Sequence, residues 1–229
     1  MIQLRRAIAA GLAFFTVLVG HAQHEGQSGN DSLTWEKARL DTGAPVSYLS
    51  PFEKEILLEL NRVRTDPKRY ARFYITPLLS NFDGKLDTQN HIETNEGVTA
   101  VKECISVLNK TKKMDLLMPD KELSSVALRH TSKQSRTRQT GHTSPNGETF
   151  EQRLRKIQFS KTGECISYGE DQARGTVISL LVDDGVPSRG HRKIILDPGY
   201  SAVGISAGTH LVYSNMCTLD FGGGQIRRK

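Results

Sequence analysis

Three short segments hold the residues best able to do chemistry. The first is Gly141-His142-Thr143-Ser144-Pro145-Asn146-Gly147, and the second is Gly163-Glu164-Cys165-Ile166-Ser167-Tyr168-Gly169. The third runs Asp183-Asp184-Gly185-Val186-Pro187-Ser188-Arg189-Gly190-His191-Arg192. Together they offer two imidazoles and two or three carboxylates, all at loops or element ends, where functional groups concentrate on a rigid scaffold. Imidazole plus carboxylate suits a divalent cation such as zinc, with His142 and His191 as the metal ligands. The same groups suit general acid/base work where they converge into one cleft. Nucleophile candidates are Ser144, Ser188 and Cys165, but none lies in a G-x-S-x-G signature. The ordinary alternatives are a histidine capping a helix end and acids that are surface charges or helix N-caps.

Such residues need a frame, and the chain is long enough to build one. It has 229 residues, 37% hydrophobic and 24% charged, with only 20 Gly and 8 Pro. That composition excludes collagen-like, low-complexity and wholly disordered classes. Three cysteines are too few for a disulfide framework and too scattered for a zinc ribbon. Met1 to Arg6 is a short basic start, followed by the uncharged apolar run Ala7–Gly20 and by small Gly20 and Ala22. This is the layout of a secretory signal over residues 1–22; the apolar run is shorter than the ~20 residues a spanning helix needs. The expected protein is exported, periplasmic or secreted, with no transmembrane anchor after cleavage. Its formal charge of +6 falls to +4 without Arg5 and Arg6, and Arg227, Arg228 and Lys229 hold three of those charges. A nearly neutral body gives a nucleic-acid role little electrostatic support.

Residues 23–47 are polar and aperiodic and read as a flexible linker, with Trp35 inside it. The domain is expected over 48–222 and a basic tail over 223–229. Ser50-Pro51-Phe52-Glu53 is a capping-box start, and Phe52, Ile56, Leu57, Leu60 and Val63 share a helical face. Thr65-Asp66-Pro67 opens a second helix with Tyr70, Ala71, Phe73 and Tyr74; residues 79–95 read as an irregular surface excursion. Val98, Val101, Ile105 and Leu108 mark a third helix. A fourth is expected from about Pro119 to Thr140, burying His130 and stopping at Gly141. Short helices follow around Phe150–Ile157 and Val177–Val182. Strands come late: residues 163–169, then 201–207 and 210–221 as a hairpin turning at Gly208-Thr209, with Leu211, Tyr213, Cys217, Leu219 and Phe221 on one face. The class is therefore α+β, helices packed on a small sheet.

The segments, in this order, resemble the CAP superfamily (cysteine-rich secretory proteins, antigen 5 and plant pathogenesis-related proteins), in its bacterial SCP-like branch. The motifs are Leu60-Asn61-Arg62-Val63-Arg64, the H-T-S-P-N-G turn His142–Gly147, and Gly163-Glu164-Cys165-Ile166. They continue with the S-x-G-H-R-x-x-I-L run Ser188–Leu196 and the strand Val203-Gly204-Ile205. The resemblance implies a three-layer α-β-α sandwich whose small antiparallel sheet forms mainly late in the chain. It also implies a cleft of two histidines and two acids that holds a divalent cation. By position these are His142, His191 and Glu164, with Asp183 or Asp184 as the second acid. Leu180 or Leu181 stands near a position where the family usually has tryptophan, and Cys165 where it has asparagine.

Two functional classes follow. One is a non-enzymatic binding module taking a lipid, glycan or peptide in the cleft. The other is a hydrolase, using metal-activated water with Glu164 as base, or Ser188, Ser144 or Cys165 as nucleophile. Three further expectations concern side chains. Arg189 and Arg192 are either solvated or paired with Asp183 or Asp184. Cys104, on an apolar stripe, is expected buried and unpaired. Cys165 and Cys217 form the one plausible disulfide, or else leave Cys165 free at the cleft.

Overall fold

The computed structural model describes residues 35–89 and 92–225. The expected signal and the first part of the linker lie outside those residues, as do the last four residues of the tail.

The described chain starts earlier than the sequence suggests. Trp35 packs on the core, α1 (Lys37–Leu40) buries Leu40, and Asn61 Nδ2 donates to the Leu40 carbonyl at 2.9 Å. So from Trp35 onward the segment expected to be a flexible linker is strapped to the domain. α2 (Pro51–Thr65) forms as its sequence dictates, with both halves of the Ser50/Glu53 capping box made and Ile56, Leu57, Leu60 and Val63 buried. Asp66 accepts from Arg69 N and starts α3 (Pro67–Tyr70), which runs on through a wide turn (Ala71–Ile75) and a tight one (Thr76–Asn81). The excursion expected to be irregular holds three two-residue strands paired antiparallel, β1 (Phe82–Asp83), β2 (Leu86–Asp87) and β3 (Ile92–Glu93).

α4 (Val98–Lys110) buries Ala100, Val101, Cys104 and Leu108. After β4 (Met118–Pro119), α5 (Lys121–Gln134) is capped by Asp120 and ends six residues short of the expected Thr140. Gly141 is therefore not its C-terminal glycine. It sits in the following loop at φ 91°, where the Gly141 carbonyl accepts from Gln134 Nε2 at 2.7 Å. α6 (Phe150–Leu154), β5 (Phe159–Tyr168), α7 (Ala173–Val182), α8 (Gly190–Ile195), β6 (Ala202–His210) and β7 (Ser214–Gln225) complete the chain. β7 reaches Gln225, so the domain extends three residues into the expected tail.

The main sheet has the order β4-β6-β7-β5, antiparallel apart from the short β4–β6 pair. On one face Val203, Ile205, Cys217, Leu219 and Phe221 join the core under α2, α4 and α7. On the other, α5 lies against β6 and β7, with Leu123 and Val126 packed on Ala202 and Leu154. This is the α-β-α sandwich, its sheet formed late in the chain. Gly204 is needed for that packing, because a Cβ there would meet the Leu123 carbonyl carbon at 2.1 Å. Gly208 also faces α5, with Thr131 2.8 Å from where its Cβ would be. It stays in the strand for that reason, and the hairpin turns three residues later, at 211–213, leaving Leu211 exposed. No helix among the described residues is long and apolar enough to cross a membrane.

Candidate functional site

β5 is an edge strand, and the site forms beside it between the two helical layers. From the α5 side, the 141–147 loop delivers His142; from the other layer, α8 delivers His191. Their ring centroids lie 6.4 Å apart, tilted by 40°.

Each imidazole is held by an acid. His142 Nδ1 lies 2.8 Å from Glu164 Oε1, and His191 Nδ1 lies 2.7 Å from Asp183 Oδ1. A carboxylate only accepts, so both Nδ1 atoms carry the proton and both Nε2 lone pairs are left for the cleft. Both acids are buried, whereas the His142 side chain is 53% exposed. Asp183 follows α7 in the left-handed region, at φ 56°, and also accepts the His191 backbone N–H at 3.0 Å. Cys165 Sγ lies beneath, 3.8 Å from the His191 carbonyl.

Asp184 is not part of the cleft. It accepts the backbone N–H groups of Asn95, Glu96 and Gly97 and so anchors the start of α4. The arginines beside His191 are neither solvated nor paired with Asp183 or Asp184. Arg189 pairs with Glu96 and Glu103, and Arg192 with Glu103, which ties α8 to α4.

Three further polar residues at the site were not among the candidates read from the sequence. Arg153 of α6, its side chain fully buried, pairs with the second oxygen of Glu164. Through Nη1 it also donates to the His142 carbonyl at 2.8 Å and the Glu148 carbonyl at 3.3 Å. Asp220 of β7 is the cross-strand neighbour of Glu164 and is wholly buried. Burial first, and then the Glu164 charge, push its carboxyl well above the usual range. Burial alone would raise Glu164 too, but the His142 hydrogen bond and the Arg153 charge outweigh it and hold Glu164 below its ordinary value. His130, buried in α5, has Nδ1 2.9 Å from Ser144 Oγ and Nε2 3.0 Å from the Gly141 carbonyl. It fixes the loop that carries His142, and burial lowers its proton affinity.

Of the nucleophile candidates, Ser144 alone is hydrogen-bonded to a histidine ring among the described residues. Ser144 is buried, and Arg153 also donates to its hydroxyl. Ser188 is exposed and makes no hydrogen bond among the described residues. Cys165 is wholly buried, and its thiol is pushed far up, chiefly by burial. All three cysteines are free. Cys165 pairs with Leu219 and Ser167 with Cys217, so the two strand cysteines are offset by two residues on adjacent strands. That diagonal is ~7–8 Å at Cα, too long for a bridge.

A divalent cation would find two imidazole Nε2 donors here. Both acids are occupied by the Nδ1 protons, as the partners of metal-bound histidines usually are. Among the described residues no group of three or more His, Cys, Asp or Glu side chains is arranged to hold an ion. The donor set fits an open, two-ligand site and not a closed structural zinc site.

A sequence profile of the cysteine-rich secretory protein family, CAP, matches residues 59–221. No curated protein matches the chain. Among solved structures the chain is similar to an extracellular protein containing an SCP domain from Bacillus anthracis, at 25% identity and TM-score 0.41, covering 56% of this chain and 38% of that one. It is similar to an outer surface protein from Borrelia burgdorferi, at 23% and 0.41, over 49% of this chain and 80% of that one. It is also similar to a cysteine-rich secretory protein from Staphylococcus aureus, at 15% and 0.37, over 58% and 43%. The chain thus spans well under half the length of the Bacillus protein.

Proposed function

The chain belongs to the cysteine-rich secretory protein (CAP) family, and from that premise we propose that it is an exported, non-enzymatic binding module. Its cleft takes an extracytoplasmic lipid, glycan or peptide with His142 and His191, with a divalent cation such as zinc bridging them where one is bound. One observation carries this reading: two imidazoles face each other at 6.4 Å, each with Nδ1 committed to an acid and Nε2 left open. Such groups accept a hydrogen bond or coordinate an ion.

Two observations weigh against the hydrolytic alternative. Glu164 has both oxygens engaged and is held ionised below its ordinary range, a poor proton acceptor near neutral pH. No accessible serine or cysteine is hydrogen-bonded to a histidine ring among the described residues.

Calorimetric titration with Zn²⁺ at pH 7.5, beside ester and peptide hydrolysis with and without chelator, tests the reading. The expected result is a single weak site lost in His142→Ala and in His191→Ala, with no turnover. Chelator-sensitive hydrolysis that disappears in His142→Ala overturns it.

A further inference from the structure

We propose that the β6–β7 hairpin tip is a docking surface for an anionic lipid bilayer, independent of what the cleft binds. Leu211 and Val212 stand at the tip 66% and 48% exposed, two adjacent apolar side chains aimed at solvent. The tip is braced. His210 stacks on Tyr213 with centroids 5.1 Å apart, both rings contact Tyr168, and His210 Nδ1 accepts from Val212 N at 3.3 Å. A preformed tip loses little conformational freedom on insertion, which favours binding.

The loop packed against its base is basic. His210 Nε2 donates to the Gln139 carbonyl at 3.0 Å, tying the 135–141 loop to the base of the tip. That loop presents Arg136 and Arg138, both exposed and without an ion pair among the described residues. Residues 131–147 and 202–219 contain no Asp or Glu. The acids Glu170 and Asp171 border Gly208 and Asn215, lower on the ribbon. An apolar point flanked by unpaired guanidinium groups complements acyl chains beneath anionic headgroups. A neutral protein groove would leave the arginines unanswered. The tip also connects to the cleft, because Tyr168 Oη accepts the Gly141 N–H at 2.9 Å, next to His142. Docking there would bring the cleft mouth near the membrane surface.

Co-sedimentation of the full chain with vesicles, one set of phosphatidylcholine and one with phosphatidylglycerol added, tests this. The apolar run Ala7–Gly20 is common to every variant, so differences between variants report the tip. At 0.1 M salt, Leu211→Ser/Val212→Ser is expected to weaken partitioning onto anionic vesicles at least ten-fold. Arg136→Glu/Arg138→Glu is expected to do the same there while leaving neutral vesicles unaffected, since each cation near such a surface contributes about five-fold. Both variants alter exposed side chains, and circular dichroism should superimpose on the parent. Partitioning within two-fold of the parent for both variants refutes the proposal. So does a lipid-free dimer, seen by ultracentrifugation, that the Leu211→Ser/Val212→Ser variant abolishes, because the tip would then serve a second copy of the chain.

Discussion

Replacing Arg153 with methionine isolates the charge that holds the cleft together. Methionine keeps most of the aliphatic volume, so the cavity cost is small. What is lost is a guanidinium, its side chain wholly buried, that neutralises Glu164 and donates to the carbonyls of His142 and Glu148. Breaking a buried pair by removing one partner costs about 3–5 kcal/mol. For a domain of this size each kcal/mol is ~2–4 °C in Tm, so the melting point should fall by roughly 6–20 °C. The pH dependence gives a sharper test. Glu164 lies below its ordinary value in the folded protein, so it stabilises at neutral pH and that contribution is lost as pH falls through the folded value. In Arg153→Met burial dominates, Glu164 takes a proton readily, and acid no longer removes a stabilising charge. Urea unfolding at pH 7 and pH 4 should therefore show a gap between parent and variant that narrows on acidification. A gap below 1 kcal/mol at pH 7, or one that widens toward pH 4, refutes the reasoning.

Asp220→Asn should stabilise the protein by about 1 kcal/mol or more at pH 7 and by nothing at pH 3. The folded Asp220 carboxyl is raised, so its favourable contribution is complete at low pH and declines as pH rises; urea midpoints at the two pH values check the sign. Gly204→Ala should cost ~3 kcal/mol or more, since the new methyl would meet backbone at 2.1 Å and α5 must move off β6; thermal melting reads it directly. Ser144→Ala should cost about 1–2 kcal/mol by leaving His130 Nδ1 buried without a donor, measured by the same unfolding curves. Alkylation under native conditions should leave all three cysteines unmodified, and denaturation without reductant should then label all three; mass spectrometry counts the adducts.

His142 and His191 could be found from sequence because a turn and a glycine-initiated helix mark them; Glu164, expected at the start of a strand over 163–169, lies in the middle of β5, which begins four residues earlier. The choice between Asp183 and Asp184 could not be made that way. Both are buried, and only the left-handed residue ending α7 aims Asp183 at His191 while its neighbour turns to α4. Arg153 reads as an ordinary polar position of a short amphipathic helix; its partner lies 11 residues on, in another layer. Asp220 had a usable signal. Alternation along β7 puts Thr218 and Asp220 opposite Cys217, Leu219 and Phe221, and in a three-layer fold that opposite face is also buried. The partners of Arg189, Glu96 and Glu103, lie 93 and 86 residues away, beyond any local pattern. The hairpin was misplaced because glycine suits both a turn and a close helix approach, and at Gly208 the approach of Thr131 decides.

The account depends on His142 and His191 sharing one cleft with both Nδ1 atoms protonated and both Nε2 atoms open. Long-range proton–nitrogen spectra of ¹⁵N-histidine-labelled protein at pH 7.5, with and without Zn²⁺, measure this most directly. Of seven histidines, His142 and His191, assigned by single substitution to glutamine, should show the Nδ1–H tautomer. Added Zn²⁺ should shift their two Nε2 resonances together. An Nε2–H tautomer at either residue, or zinc shifts at only one of them, would contradict the shared site.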